Sequence, residues 1–261
     1  MTDAVGTRCP SLRRDHGRLQ RGRFGPPRAT RCRILAAIAI GSVLLYAAAI
    51  PARAAAVALV LAIDVSESVS SERYLLQHEG IARAFETPQL VDAIAAVPGG
   101  IEALVLEWSD PDKIAITVGW TRIANRNGAA AFAASVRATR RTSNGLTAIG
   151  SALLAAAAAF DHMPEAAGHK IVDISGDGMA NFGVPPVTAR DALIKQGITI
   201  NGLAILSEEP WLDDYYRNNV VGGPAAFVLV AKNFDSFADA MLRKLVQEVA
   251  SAPLATDAEA R

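Results

Sequence analysis

The chain has 261 residues, of which 51% are hydrophobic and 20% charged. This composition allows a sizeable buried core and excludes an intrinsically disordered chain, a collagen-like repeat and a small disulfide scaffold. Lys and Arg (26) balance Asp and Glu (26) overall, but residues 55–261 carry 16 basic against 24 acidic residues. This net negative charge argues against nucleic-acid binding, because contacts to phosphates require clustered Lys and Arg.

Residues 1–54 form a predicted export signal. An arginine-rich start is followed by an uncharged apolar stretch at 34–50 and by the triplet Ala-Arg-Ala at 52–54, a pattern typical of a secretory signal peptide cleaved after the triplet. The protein is therefore expected to be exported, and periplasmic or associated with the cell envelope. The alternative is an uncleaved membrane anchor, because the apolar stretch approaches the length that spans a bilayer, and no other part of the chain is expected to contact a membrane. Both cysteines, Cys9 and Cys32, lie in this segment, so the cleaved chain would have no disulfide.

From residue 55 onward, apolar runs of strand length alternate with segments of helical periodicity. The six predicted strands are Val57–Ile63, Ile101–Trp108, Ile114–Trp120, Lys170–Ser175, Ile198–Leu206 and Ala226–Val230. The main predicted helices are Ser70–Phe85, Asn127–Thr139, Thr147–Phe160, Pro186–Gln196 and Phe234–Val249. A polar segment with a short helix follows the fifth strand.

This order of elements predicts an α/β domain over residues 55–250, followed by a flexible tail at 251–261. Strands separated by helices lie parallel in one sheet, with helices on both faces. Only residues 109–113 separate the second and third strands, which is too short for a crossover helix, so these two strands are expected to be antiparallel neighbours. The predicted fold is Rossmann-like and doubly wound, with six mostly parallel strands and one antiparallel edge strand.

Oxygen-bearing side chains occur at the ends of two central strands and at the start of a helix. Asp64, Ser66 and Ser68 follow the first strand in the pattern Asp-x-Ser-x-Ser. Asp177 follows the fourth strand, and Thr147 opens the alanine-rich helix. Because ligand sites form at the carboxyl ends of parallel strands, these groups are expected at one edge, where two carboxylates and three hydroxyls suit a hard divalent cation such as Mg²⁺. The alternative is that the serines cap the next helix and the first aspartate stabilises a turn.

In order, type and placement, these five residues resemble the metal-ion-dependent adhesion site (MIDAS) of a von Willebrand factor type A (vWA) domain, and the resemblance covers the whole predicted domain. It implies that Ser66 and Ser68 bind Mg²⁺ (or Mn²⁺) directly. Thr147 would bind the ion directly or through water, while Asp64 and Asp177 would act largely through bridging waters. The resemblance further implies a protein partner whose Glu or Asp carboxylate completes the coordination, and a terminal helix that shifts on binding.

The resemblance also implies a binding domain rather than an enzyme, similar to an exported bacterial branch of the vWA superfamily. A metal-independent vWA-like scaffold is one alternative. A metal-dependent phosphoesterase, with Asp64 as a phosphoryl acceptor, is another. It is disfavoured because Ser66 stands where an Asp-x-Asp phosphotransferase has its second carboxylate, and because no histidine is placed as a general base.

Several other polar residues carry weaker expectations. Segment 207–216 is acidic and aromatic, and it is predicted either to form a recognition rim beside the metal or to pack its aromatic rings onto the sheet. Glu67 is expected to face solvent, Asp173 has no assigned role, and the pair Arg140–Arg141 is expected to be solvated. Three histidines without metal-ligand spacing are predicted at the surface or at helix ends: His78, His162 and His169.

Overall fold

A computed structural model of the protein describes residues 54–251. The predicted signal or anchor segment and the predicted tail lie outside the described residues, apart from their boundary residues 54 and 251. Among the residues that the structure describes, no helix is long and apolar enough to cross a membrane.

In the described part of the chain, six strands form one sheet in the order β3-β2-β1-β4-β5-β6. Their bounds are Ala55–Asp64 (β1), Ile101–Trp108 (β2), Ile114–Ile123 (β3), Ala167–Gly176 (β4), Ile198–Ile205 (β5) and Val228–Ala231 (β6). The edge strand β3 runs antiparallel to β2, and all the other neighbours are parallel. The predicted sheet is therefore confirmed in strand number and direction.

Within residues 54–251, seven α-helices cover the two faces of this sheet. Their bounds are Ser71–Glu86 (α1), Pro88–Ala96 (α2), Arg126–Ala138 (α3), Ile149–Ala159 (α4), Pro186–Lys195 (α5), Leu212–Asn219 (α6) and Phe237–Ala250 (α7). Helices α1, α2, α3 and α7 contribute to one hydrophobic core, and α4, α5 and α6 contribute to the other. Strand β1 is apolar from Ala55 to Ile63 because alternate residues enter opposite hydrophobic cores. Leu59 and Leu61 enter the first core, and Ala58 and Val60 enter the second.

Three local features differ from the sequence expectation. Helix α2 was not predicted: Pro88 ends α1 but also begins a new helix, where its fixed φ and missing N–H suit the first position. Helix α4 begins at Ile149, so Thr147 lies in the loop just before it. Strand β6 is shorter than predicted and begins at Val228.

A buried ionic cluster joins α7 to the sheet on the first core's side. The Nζ of Lys244 lies 2.6 Å from Asp173 Oδ1 and 2.6 Å from Glu248 Oε1, and all three side chains are fully buried. Asn201 donates from Nδ2 to the same Glu248 oxygen at 2.8 Å and accepts from the Phe227 backbone N–H at 3.1 Å. Asp173, which had no assigned role, is therefore an internal anchor for the terminal helix.

Candidate metal centre

Four of the five predicted metal ligands are connected by hydrogen bonds at the carboxyl ends of β1 and β4. Asp64 Oδ1 accepts from the Ser66 backbone N–H at 2.7 Å. The hydroxyls of Ser66 and Ser68 are 3.2 Å apart, and the Ser68 hydroxyl donates to Asp177 Oδ1 at 2.6 Å. These groups come together because β1 and β4 are parallel neighbours, with Ile63 paired to Ser175 near their shared edge.

Thr147, the fifth predicted ligand, is held at this edge through its backbone. Its N–H donates to Asn181 Oδ1 at 2.8 Å, and its carbonyl accepts from the Asn181 N–H at 3.1 Å. Two residues earlier, the Gly145 carbonyl accepts from the Glu67 N–H at 2.8 Å. The threonine loop is thus bonded both to the serine motif and to the segment after Asp177. The Glu67 side chain is exposed, as the sequence predicts.

The carboxyl group of Asp64 is fully buried, and only one of its two oxygens accepts a hydrogen bond from the described residues. Within residues 54–251, its Oδ2 has no hydrogen-bond partner, and neither does the buried hydroxyl of Tyr216. A Cβ built on Gly176 would be 2.8 Å from each of these two oxygens, so both border this glycine. Burial raises the pKa of Asp64 to about 7, the nearby charge of Asp177 adds to this effect, and hydrogen bonds from Ser66 oppose it.

The donor chemistry of this group fits a hard divalent cation. In the part of the chain that the structure describes, no three His, Cys, Asp or Glu side chains gather as a metal site. The candidate centre is of another kind, because it combines two carboxylates with hydroxyls. Oxygen donors with few direct carboxylates suit Mg²⁺ or Mn²⁺, which retain bound water. The unpartnered oxygen of Asp64 fits such an ion, because a buried polar atom requires a partner.

Arg141 donates hydrogen bonds to the backbone of the Asp-x-Ser-x-Ser motif, contrary to the expectation that Arg140 and Arg141 are both solvated. Its Nη2 donates to the carbonyls of Val65 at 2.7 Å and Ser66 at 2.8 Å, and its Nε donates to the Ser143 carbonyl at 2.8 Å. Arg140 is exposed, as predicted. Two adjacent arginines in a loop give no sequence signal that distinguishes the one that folds inward.

Replacing Arg141 with Gln is expected to lower the free energy of unfolding by about 2 kcal/mol, because three carbonyls lose a charged donor. Urea unfolding followed by circular dichroism measures this difference. Arg140→Gln is the matched control and is expected to change stability by no more than about 0.5 kcal/mol. Equal effects of the two substitutions would contradict the supporting role of Arg141.

A second internal network holds Thr142, in the loop that leads to Thr147, and corrects the prediction for His78. This histidine is buried rather than at the surface: its Nδ1 lies 3.0 Å from the Tyr74 carbonyl and its Nε2 lies 3.1 Å from Glu107 Oε1. The other oxygen of Glu107 accepts from both the backbone N–H and the hydroxyl of Thr142, each at 2.9 Å. Although burial alone would raise it, these hydrogen bonds hold the pKa of Glu107 below its usual value.

The acidic and aromatic segment 207–216 lies beside the candidate centre, and it packs partly onto the sheet, while its role as a recognition rim stays a prediction. Tyr216 is buried, while Trp211 at the start of α6 is exposed. The Tyr215 hydroxyl accepts from the Ala180 N–H at 3.3 Å, three residues after Asp177. Burial raises the pKa of Tyr216 well above its usual value, and the nearby carboxylates Asp64 and Asp177 raise it further.

Arg73 also reaches the candidate centre, and no sequence prediction identified it. From the first turn of α1, its Nη1 donates to the Ser68 carbonyl at 2.9 Å and lies 3.5 Å from Asp177 Oδ2. Its Nη2 donates to Glu208 Oε1 at 2.6 Å. A signal was available in the sequence: Ser70 was expected to start the helix, so a residue in the first helical turn lies close to the preceding motif.

The family of this chain follows from a sequence comparison. A family model described as a protein of unknown function (DUF1194) matches residues 54–253, which is most of the chain. The chain belongs to the DUF1194 family. No curated protein gives a significant match to it.

Solved structures similar to this DUF1194 protein include a von Willebrand factor type A protein and a protein with a MIDAS motif. Proximal thread matrix protein 1 from the mussel byssus, solved with a zinc-occupied MIDAS motif, has 17% identity over 76% of this chain and 50% of that chain, with a TM-score of 0.53. A von Willebrand factor type A protein from Catenulispora acidiphila has 20% identity over 75% and 42%, with a TM-score of 0.53. The pilus adhesin SpaC from Lactobacillus rhamnosus GG has 13% identity over 74% and 30%, with a TM-score of 0.55.

These similarities confirm that the DUF1194 protein has the vWA fold, as its motif order predicted. The matched region spans at most half the length of the three chains, and the identities are low. The neighbours include an adhesin and a matrix protein, and one of them holds a divalent metal at its MIDAS.

Proposed function

We propose that the DUF1194 protein is a non-enzymatic, divalent-metal-dependent protein-binding domain. Asp64, Ser66, Ser68, Thr147 and Asp177 hold Mg²⁺ or Mn²⁺, and an acidic side chain of a partner protein completes the coordination. The observation that carries this proposal is the free, fully buried oxygen of Asp64 within a bonded group of hydroxyls and carboxylates. A cation with few protein anions around it stays electrophilic, so an incoming carboxylate gains a strong charge-assisted contact.

Exposed apolar side chains around the candidate centre support a protein as the partner rather than a small solute. Four large apolar residues, each at least 37% exposed, lie in the loops that carry the site or border it: Leu146, Met179, Phe182 and Trp211. Hydrogen bonds between Thr147 and Asn181 and between Ala180 and Tyr215 tie these loops together. Clustered aromatic and aliphatic side chains beside a charged group are typical of protein interfaces.

A metal-independent scaffold is the second candidate, and one observation favours it. The guanidinium of Arg73 already supplies a positive charge near Asp177, at 3.5 Å. Calorimetric titration with Mg²⁺ and Mn²⁺ separates the two candidates, because only the first predicts a saturable metal site.

Asp64→Ala is expected to abolish metal binding and partner capture without unfolding the domain, because the substitution removes the most buried candidate ligand. The protein is purified from its native envelope fraction, with Mg²⁺ and with a chelator in parallel, and co-purifying proteins are compared by mass spectrometry. The same preparation gives the first residue of the purified protein, which tests export and cleavage after Ala54.

Glu67→Ala is the matched control for this experiment. Glu67 lies inside the Asp-x-Ser-x-Ser motif, yet its side chain is exposed. This variant is expected to bind metal and partner like the wild type. Equal capture of the same partner with and without chelator would contradict the metal-dependent proposal.

A further inference from the structure

Arg73 occupies an unusual position, since a guanidinium lies among the groups proposed to hold a cation. Its side chain contacts three loops, through the Ser68 carbonyl at 2.9 Å, Asp177 at 3.5 Å and Glu208 at 2.6 Å. Its guanidinium also lies over the ring of Phe234, 5.0 Å from the centroid. These contacts hold the positive charge at the edge of the candidate centre, where the side chain of Arg73 is 29% exposed.

Glu208 is the exchangeable member of this group. Its side chain is 53% exposed and lies in the loop after β5, and its contact with Arg73 uses one oxygen. A guanidinium can bind a carboxylate through two parallel N–H donors, which makes it a strong and geometrically selective carboxylate contact. Because exposed ion pairs contribute little stability, an incoming carboxylate can replace Glu208 at small cost.

We propose that Arg73 is a specificity-determining contact for the partner's carboxylate, and that Glu208 occupies this contact in the free protein. The inference depends on the proposed function, because the same carboxylate would bind the metal. Arg73 and the metal then act together on an acidic side chain, while a neutral amide of similar shape gains from neither charge.

This arrangement predicts effects of opposite sign when the charge of Arg73 is removed. The guanidinium would repel a divalent cation held by Asp177, which lies 3.5 Å from it, so Arg73→Gln is expected to tighten Mn²⁺ binding about tenfold. The same substitution removes one contact to the carboxylate and is expected to weaken its binding to the Mn²⁺-loaded protein about fivefold. A purely structural role of Arg73 would weaken both.

The experiment uses Mn²⁺ alone and 4,4,4-trifluorobutyrate as a carboxylate probe. Mn²⁺ affinity is measured by the loss of the free-ion signal in electron paramagnetic resonance. Broadening of the probe's ¹⁹F line by protein-bound Mn²⁺ detects even weak carboxylate binding. The neutral analogue 4,4,4-trifluorobutyramide controls for contacts that do not need the charge.

Three further variants complete the test. Glu208→Gln is expected to tighten probe binding about threefold, because it frees Arg73. Arg73→Lys keeps the charge and is expected to leave Mn²⁺ affinity close to that of the wild type. Arg83→Gln removes a positive charge from the exposed face of the same helix, where Arg83 pairs with Glu79, and is expected to change neither measurement.

One outcome would overturn only the role of Arg73, and another would overturn the proposed function as well. If the wild type binds Mn²⁺ and broadens the probe signal, but Arg73→Gln and Glu208→Gln broaden it equally, the role of Arg73 is overturned and the proposed function stands. If the wild type binds no Mn²⁺ or does not broaden the probe signal, the proposed function fails and this inference fails with it.

Discussion

Replacing Lys244 with Met is expected to lower the free energy of unfolding by about 3–5 kcal/mol. The ammonium group lies 2.6 Å from Asp173 and 2.6 Å from Glu248 in a fully buried cluster. Without it, two carboxyl groups remain inside the protein with no opposing charge, and each must be protonated or left unpaired. Removing one partner of a buried ion pair is far more costly than replacing the whole group. Urea unfolding at neutral pH measures the loss.

Two comparisons separate the buried charge from the general effect of a substitution in α7. Arg243→Met changes the neighbouring exposed residue and is expected to shift stability by no more than about 0.5 kcal/mol. Adding Asp173→Asn and Glu248→Gln to the Lys244 substitution removes the uncompensated charges and is expected to recover more than half of the loss. A Lys244→Met protein as stable as the wild type would show that the cluster does not anchor the terminal helix.

The fold could be predicted because its main signals are local. Continuous apolar runs mark strands buried on both faces, and the short connection at 109–113 leaves only an antiparallel hairpin for β2 and β3. Helix α2 was missed because Pro88 is equally compatible with the end of one helix and the first position of another.

The candidate site could be predicted only in its strand-end residues. Asp64, Ser66, Ser68 and Asp177 were expected at one edge because parallel strands bring their carboxyl ends together, and the structure joins them by hydrogen bonds. Their binding of a metal remains a prediction. The position of Arg73 close to Ser68 had a local signal in the start of the helix, but its contacts with Asp177 and Glu208 had none, because they cross more than 100 positions in the chain.

The same limit applies to groups that are buried against expectation. Lys244 and His78 have polar side chains that sequence patterns place at the surface, and both are buried because a carboxylate from a distant strand meets them. Such pairs depend on three-dimensional neighbours, so hydrophobic periodicity alone does not reveal them.

The affinity for Mn²⁺ is expected to fall about tenfold for each pH unit below 7 and to be nearly constant above it. Burial raises the pKa of Asp64 to about 7, and burial raises the pKa of Asp177 as well. A proton and a cation compete for the same carboxylate, so metal must displace the proton below this pH. Titrations with Mn²⁺ between pH 5 and pH 8 measure the slope.

Without metal, the same shift has the opposite consequence for folding. The pKa of Asp64 rises from its usual value of 3.8 to about 7, so the folded protein holds this proton more tightly than the unfolded chain. The resulting stabilisation is complete below about pH 4 and is lost as the pH rises through 7, by at most about 4 kcal/mol. Metal-free protein should therefore become less stable between pH 5 and pH 8, and Mn²⁺ should reverse this trend.

Asp173 makes the assignment to Asp64 testable, because burial raises its pKa as well, with Lys244 opposing the shift. Both aspartates therefore lower metal-free stability as the pH rises, and a stability curve alone does not separate them. Metal affinity does, because only Asp64 belongs to the candidate centre. Asp173→Asn should flatten the stability curve and keep the pH dependence of Mn²⁺ binding, whereas Asp64→Asn should lose the binding itself. Mn²⁺ affinity that stays constant between pH 5 and pH 7 in the wild type would mean that the buried carboxyl group of Asp64 does not meet the ion.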